Sequence, residues 1–304
     1  MKKSGFIGVG IMGKSMVRNL MKAGYEVNIY ARHKENVEDV ISEGALFHET
    51  IAGCVSDCEA VITIVGYPSD VEEVYYGTSG SANSTKSDGS LGNAMNDGIL
   101  KNVRPGTYLI DMTTTSPELD QRIAKDASAR DCHFLDAPVT GGTTKAEKGT
   151  LSILVGGEAE DYEACLGLFS AMGKTITHYG KAGSGQHAKL TNQIMQANIM
   201  TGICEGISYA KSKGLDMGLV LEGSYGGAAQ SFLLDSYGER ICDGDLNPGF
   251  YIDFLIKDMK LAYDSAELEG LELSNLRNII SQYEKLSENG YGRLGMQALI
   301  KAYE

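Results

Sequence analysis

No stretch of the 304-residue chain approaches the roughly 18 uninterrupted apolar residues of a membrane span. Nor does a charged-then-apolar leader with a cleavage site open it, so a soluble, cytoplasmic protein is expected. Cysteine is sparse: Cys54, Cys58, Cys132, Cys165, Cys204 and Cys242 are scattered, which favours free thiols over a disulfide framework. Cys54 and Cys58 stand at helical i, i+4 spacing, but no nearby histidine completes a zinc set; they are read as structural, and no metal site is expected. Cations are also in deficit, 27 Lys and Arg against 40 Asp and Glu, a formal net charge of −13. With no basic run to offset that charge, nucleic acid and anionic membrane are poor partners. An acidic chain that takes an anionic ligand must gather its cations locally. Arg32 to Lys34 is one such place, and Lys189 and Lys257 are candidates for another.

Length and pattern suggest two domains. Up to about residue 180, β-branched runs at 6–9, 27–30, 60–65, 108–112, 133–137 and 151–155 alternate with helix-like stretches, the βαβ signature of a parallel, doubly wound sheet. The stretch from Ser79 to Asn96, poor in apolar residues and crowded with Ser, Gly and Asn, reads as a long surface loop, a tolerated insertion in preference to a lid. Beyond Gly185 strand alternation stops. Residues 186–212 carry an apolar set wide enough for a helix buried on most sides, and further helices are predicted over 217–222, 231–242, 254–268, 274–289 and 294–303. The expected fold is thus α/β over 1–182 and all-helical over 183–304, joined by the long helix.

The first strand runs into Gly8-Val9-Gly10-Ile11-Met12-Gly13, a G-x-G-x-x-G spacing that enters a helix. In a dinucleotide fold Gly8 makes the tight turn, Gly10 lets backbone approach the pyrophosphate and Gly13 packs helix against strand. The helix N-terminus adds N–H donors and partial positive charge. About 20 residues on, where the ribose selector is expected, the second strand ends in Ala31-Arg32-His33 and no acid stands there. An arginine suits a 2′-phosphate, so NADP is expected in preference to NAD; a solvated turn of ordinary surface charges is the alternative.

Three further clusters carry chemistry. Asp136-Ala137-Pro138-Val139-Thr140-Gly141-Gly142 ends a strand and offers a hydroxyl and backbone N–H groups to a small anion, although a Gly-rich turn alone has the same composition. Within Gly183 to Gln193, the residues Lys189, Asn192 and Gln193 fall at i, i+3 and i+4 on one otherwise apolar helix face. Taken alone, a snorkelling lysine accounts for Lys189. As a proton donor to a carbonyl oxygen it needs a pKa lowered toward neutrality from about 10.4 by burial or a neighbouring cation, for which Lys257 is the candidate. Lys257-Asp258 by itself is an ordinary charged pair.

These motifs, in this order, resemble the β-hydroxyacid dehydrogenase family over nearly the whole chain. The family's G-x-G-x-M-G loop matches Gly8 to Gly13, its D-A-P-V-S-G-G matches Asp136 to Gly142, its G-x-G-x-x-x-K-x-x-N matches Gly183 to Asn192, and its late K-D matches Lys257-Asp258. The resemblance implies a Rossmann domain and a helical domain, and a nicotinamide-dependent oxidoreductase of a small 3-hydroxy acid or its semialdehyde. It further implies a catalytic Lys189 assisted by Asn192, and a substrate carboxylate held near Thr140, Gly141, Gly142 and Asn192. Cofactor contacts are implied at Val65, Thr114 and Lys257, and a homodimer or homotetramer as the assembly. The K-x-x-N-Q form looks most like the tartronate semialdehyde reductases. Succinic semialdehyde-type reduction and a non-catalytic NADP-binding sensor are the alternatives, with Lys189 and Asn192 counting against the sensor. The chain departs from the family at Thr140, where serine is usual, and at Val65-Gly66, where Leu-Pro is usual. The 79–96 stretch is foreign to the pattern. Retention of Lys189 separates the chain from the imine-reducing relatives. Gly223 to Ser231 is a pocket loop by the same resemblance.

Overall fold

A computed structural model describes residues 1–77 and 98–304. These divide into two compact units, Met1–Lys189 and Leu190–Glu304. The predicted insertion at 79–96 lies outside the described residues. Its flanks, Gly77 and Gly98, lie against each other: a Cβ added at Gly98 would stand 2.5 Å from the Gly77 nitrogen.

The strands of the first unit are β1 (Lys3–Ile7), β2 (Glu26–Tyr30), β3 (Leu46–His48), β4 (Ala60–Thr63), β5 (Tyr108–Asp111), β6 (His133–Asp136), β7 (Val139–Thr140), β8 (Leu151–Gly157) and β9 (Gly173–Gly180). Its helices are α1 (Ile11–Lys22), α2 (Glu38–Ser42), α3 (Ile51–Val55), α4 (Pro68–Tyr76), α5 (Ile99–Asn102), α6 (Pro117–Ser128), α7 (Gly142–Glu147) and α8 (Ala159–Met172). The strand order β3-β2-β1-β4-β5-β6 is parallel throughout, the doubly wound order whose direction reverses between β1 and β4. Helices cover both faces, so the central strands are apolar on both sides rather than alternating. Phe6 and Ile62 belong to one cluster while Ile7 and Val61 belong to the other.

The edge departs from the expected parallel order. β8 runs antiparallel to β6 and to the two-residue β7, and parallel to β9. Five of the six cysteines are buried and all are free thiols. Burial pushes Cys54 and Cys58 up to about 12, which keeps both thiols protonated and unreactive.

Helix α9 (Ser184–Ser212) gives its first six residues to the first unit and the remainder to the second. The second unit continues with α10 (Met217–Ser224), α11 (Phe232–Cys242), α12 (Ile252–Leu268) and α13 (Ser274–Leu286). The expected α-helix at 294–303 is a tighter 3₁₀ segment over Met296–Ala302. Met200, Cys204, Leu255, Met259, Ile279 and Tyr283 form the heart of this core, and the buried Tyr283 hydroxyl donates to the Met296 carbonyl at 2.8 Å. Among the described residues, no helix is long and apolar enough to cross a membrane.

Candidate active site

The three glycines of the first loop have separate physical reasons. Gly8 has φ +96°, and a Cβ there would stand 2.0 Å from the Ile64 carbonyl oxygen; one at Gly13 would stand 2.1 Å from the Gly8 carbonyl oxygen. Both positions are closed by backbone that cannot move aside, so both serve the fold. At Gly10 an added Cβ meets nothing within 4 Å. That open space lies at the start of α1, where Gly10 is the N-cap and offers no side-chain cap. A helix entrance with uncapped N–H donors and room in front of it fits a pyrophosphate. Val9 is buried, Met12 packs on the core and Ile11 is exposed. Beyond β4, the Val65 N–H donates to the Thr113 hydroxyl at 3.0 Å, tying the Val65 turn to the loop that carries Thr114.

At the β2 tip the basic side chains are already engaged. Arg32 donates to Asp70 on α4 at 2.5 Å, the Lys34 ammonium sits 5.4 Å from the Phe47 ring centroid, and His33 Nδ1 lies 3.2 Å from Glu35. An acid absent from the tip in sequence is therefore supplied from the other side of β1. Nothing in the local sequence around Arg32 signals it.

Asp136 ends β6, and its carboxylate accepts the Gly183 N–H at 2.7 Å and the Gln186 N–H at 2.8 Å, capping the start of α9. The approach is close. A Cβ at Gly185 would lie 2.8 Å from one Asp136 oxygen and 2.3 Å from the Leu154 carbonyl, and one at Gly156 would lie 2.5 Å from the other oxygen. The second glycine of the G-x-G in the lysine motif is thus required by packing. Burial raises the Asp136 pKa, against the two N–H bonds that lower it. The Gln186 side chain completes the latch: its amide nitrogen donates to the Thr113 carbonyl and to Asp120, both at 2.7 Å, and its oxygen accepts the Thr115 N–H at 3.2 Å. Lys189 follows one turn later, buried at 6% exposure.

Behind this latch lies a buried acid pair. Asp111 accepts from Thr63 Oγ1 at 2.8 Å and from the Thr113 N–H at 3.1 Å, and Thr63 in turn meets the Tyr75 hydroxyl at 3.2 Å. One oxygen of each acid, Asp111 Oδ2 and Asp120 Oδ1, is buried without a hydrogen-bond partner among the described residues, and the Asp111 charge acts on Asp120. Burial pushes Asp111 up to about 6, against the bonds from Thr113 and Thr63. Burial, then the Asp111 and Asp136 charges, holds Asp120 well above the usual carboxylate range.

Thr140 is the last residue of β7, paired with Ser152. Gly141 (φ +126°) and Gly142 (φ +67°) follow in the left-handed region and lead into α7, a turn that side-chain-bearing residues adopt only under strain. The stem of Lys145 lies over Gly141, whose added Cβ would meet its Cδ at 2.6 Å. Lys145 thereby joins the turn at Thr140 to Gly142, a cation that the sequence motif hides one helical turn away.

In the second unit, Asn192 and Gln193 stand on α9. The Asn192 side-chain oxygen is buried and accepts no hydrogen bond among the described residues. Gln193 donates to Asp258 at 2.7 Å, and Lys257 pairs with Asp258 at 3.0 Å. The Lys257 charge, expected as the neighbour that tunes Lys189, is thus offset by its own carboxylate.

A family model described as the NAD binding domain of 6-phosphogluconate dehydrogenase matches residues 3–91 and 91–180. A second, described as the NAD-binding domain of NADP-dependent 3-hydroxyisobutyrate dehydrogenase, matches 183–303. The chain belongs to the β-hydroxyacid dehydrogenase family. It is 42% identical over 304 residues to the uncharacterized oxidoreductase YkwC of Bacillus subtilis, covering 100% of this chain and 99% of that one. It is 33% identical over 302 residues to 2-hydroxy-3-oxopropionate reductase of Escherichia coli, covering 99% and 97%. The crystal structure of 3-hydroxyisobutyrate dehydrogenase from Salmonella typhimurium shares the fold, with a TM-score of 0.85 at 21% identity and 99% coverage of both chains. This β-hydroxyacid dehydrogenase is accordingly an NAD(P)-dependent oxidoreductase.

Two expectations follow for it. Gly13→Ala, forced against the Gly8 carbonyl, lowers stability by roughly 1–3 kcal/mol. Gly10→Ala costs less than about 1 kcal/mol yet weakens NADPH binding about tenfold or more, because its methyl fills the space in front of the helix. Denaturant midpoints and nucleotide titration of the two variants separate these effects, and equal destabilisation would contradict the assignment. The acid pair sets a pH dependence. The folded chain holds its Asp111 proton up to about 6 while the unfolded chain releases it near the ordinary carboxylate value, so this group's contribution to stability falls as pH rises from about 4 to about 6. Asp111→Asn keeps the acceptor for Thr63 and removes that slope, as measured by the difference in unfolding free energy between wild type and variant across the window.

Proposed function

We propose that the chain reduces a small semialdehyde carrying a carboxylate, or oxidises the matching 3-hydroxy acid, with NADP preferred over NAD. Tartronate semialdehyde (2-hydroxy-3-oxopropionate) and the 3-hydroxyisobutyrate couple are the substrates of choice. The observation that carries this reading is the buried Lys189, one turn beyond the Asp136–Gln186 latch and one turn before Asn192 on a single helix face. A lysine whose helix is anchored by five hydrogen bonds through one aspartate and one glutamine has a fixed origin for its reach. Such fixing suits proton transfer, which demands heavy-atom placement within about 3 Å of the receiving oxygen.

The bound nicotinamide supplies or removes the hydride at the substrate carbon. In reduction, the Lys189 ammonium donates a proton to the carbonyl oxygen; in oxidation, the neutral amine takes it back from the hydroxyl. Asn192 orients the substrate from the next turn of the helix. The Thr140 hydroxyl and the backbone at Gly141 and Gly142 hold the carboxylate, with Lys145 adding charge from behind the turn. The methyl that Thr140 carries beyond a serine narrows the space beside the carboxylate and favours the shorter substrates. Gly8 to Gly13 receive the pyrophosphate, Arg32 the 2′-phosphate, and Val65, Thr114 and Lys257 the rest of the cofactor. Lys189→Ala lowers kcat by about 10²-fold or more while NADPH binding, read by nucleotide fluorescence, stays within about twofold. Turnover at the wild-type level would overturn the lysine's role. Assays with tartronate, methylmalonate and succinic semialdehydes, each with NADPH and NADH, test substrate and cofactor together.

A homodimer or homotetramer is proposed as the assembly. Met195, Ile199 and Tyr209 on α9 are exposed, and Gly202 and Gly206 between them leave an open, side-chain-free surface, an apolar stripe of the kind that a second copy covers. Light scattering of the purified 32.6 kDa chain is expected to return a multiple of that mass; a monomer alone would refute the proposal.

A further inference from the structure

The Arg32–Asp70 pair bridges the mouth of the nucleotide site. In the sheet, β1 lies between β2 and β4. Arg32 leaves the end of β2 and Asp70 stands in the first turn of α4, just beyond β4, so their bond passes over the carboxyl end of β1, from which the Gly8–Gly13 loop emerges. Open α/β sheets take their nucleotide at this point of strand reversal. The Arg32 side chain is 54% exposed and that of Asp70 only 20%. Asp70 is also the better anchored partner. One of its oxygens accepts the Tyr67 N–H at 3.0 Å and closes the first turn of α4, leaving the other to face Arg32 at 2.5 Å. Glu73, one turn further along the same helix, adds a second negative charge that acts on Arg32.

One carboxylate in contact and a second charge on the same helix therefore act on the guanidinium on which the proposed NADP preference depends. A 2′-phosphate arriving at Arg32 must displace a charge-assisted bond of the same kind that it offers. It then stays beside the displaced carboxylate, which its helix turn holds in place. An unphosphorylated ribose brings no such charge and meets no such repulsion. We infer that Asp70 is a specificity-determining residue that competes with the 2′-phosphate for Arg32 and so narrows the discrimination between NADPH and NADH. This deepens the proposed NADP preference and rests on Arg32 being its selector.

The test is binding by the intact chain without substrate, followed through the fluorescence of NADPH and of NADH, in wild type, Asp70→Asn, Arg32→Ala and the double variant. Asparagine keeps an oxygen for the Tyr67 N–H, so the helix start is preserved; Asp70→Gln, whose side-chain oxygen also reaches back to the N-cap N–H from the third helix position, serves if that variant does not fold. The expected result is that Asp70→Asn tightens NADPH about tenfold, leaves NADH within about twofold, and has no effect once Arg32 is alanine. An unchanged NADPH-to-NADH ratio in Asp70→Asn, with the ratio falling in Arg32→Ala, overturns the role of Asp70 and leaves Arg32 as selector. A ratio unchanged in Arg32→Ala removes the selector itself and overturns both.

Discussion

The Asp136 carboxylate at the start of α9 is the contact on which the functional arrangement depends. Burying a carboxylate is costly unless hydrogen bonds replace its water, and two backbone N–H groups at a helix entrance do so here with the helix dipole in the same sense. The requirement spreads outward. Gly185 and Gly156 are bare because that carboxylate occupies the space their side chains would need. Gln186 then ties the same helix turn to the β5 loop at Thr113 and Thr115 and to α6 at Asp120. Three segments distant in sequence are thereby brought to the helix that carries Lys189 and Asn192.

How much of this could be read beforehand depends on how local each signal is. The glycine loop, the order of strands β1, β2, β4, β5 and β6, and the run of helices after Gly185 are written in spacing and periodicity. Strands β3 and β7, of three and two residues, are too short for a period to register. β9, Gly-Lys-Thr-Ile-Thr-His-Tyr-Gly, is half polar because it lies at an edge. Periodicity also carries no strand direction, so the antiparallel placement of β8 was beyond it. In the candidate site, Lys189, Asn192 and the Thr140 turn are legible as motif positions. Asp70, Lys145 and the Asp111–Asp120 pair are not, since each acts on a partner that only folding brings near.

The charge deficit has a local resolution that composition hides. The chain is acidic overall, yet cations stand at the candidate site. Arg32 and Lys145 stand at the turns that follow β2 and β7, and Lys189 stands on the helix held by Asp136, while many acids are exposed elsewhere. Two of the chain's cations are moderated by a carboxylate neighbour. Arg32 faces Asp70, and Lys257 faces Asp258. A cation engaged in this way can take an anionic ligand only by exchange of partners, which makes affinity depend on the carboxylate as much as on the base.

The burial of Asp111 and Asp120 reaches beyond the neighbourhood of those two residues, because both acids hold a proton to higher pH than an exposed carboxyl does. Between the ordinary carboxylate value and the raised one, the folded molecule is therefore less negative than its unfolded chain. In that window unfolding exposes both acids to water and releases protons to the buffer. Heat measured on unfolding therefore contains the ionisation enthalpy of whichever buffer takes them up, and melting curves recorded in phosphate and in an amine buffer at one pH describe the same structure with different apparent enthalpies.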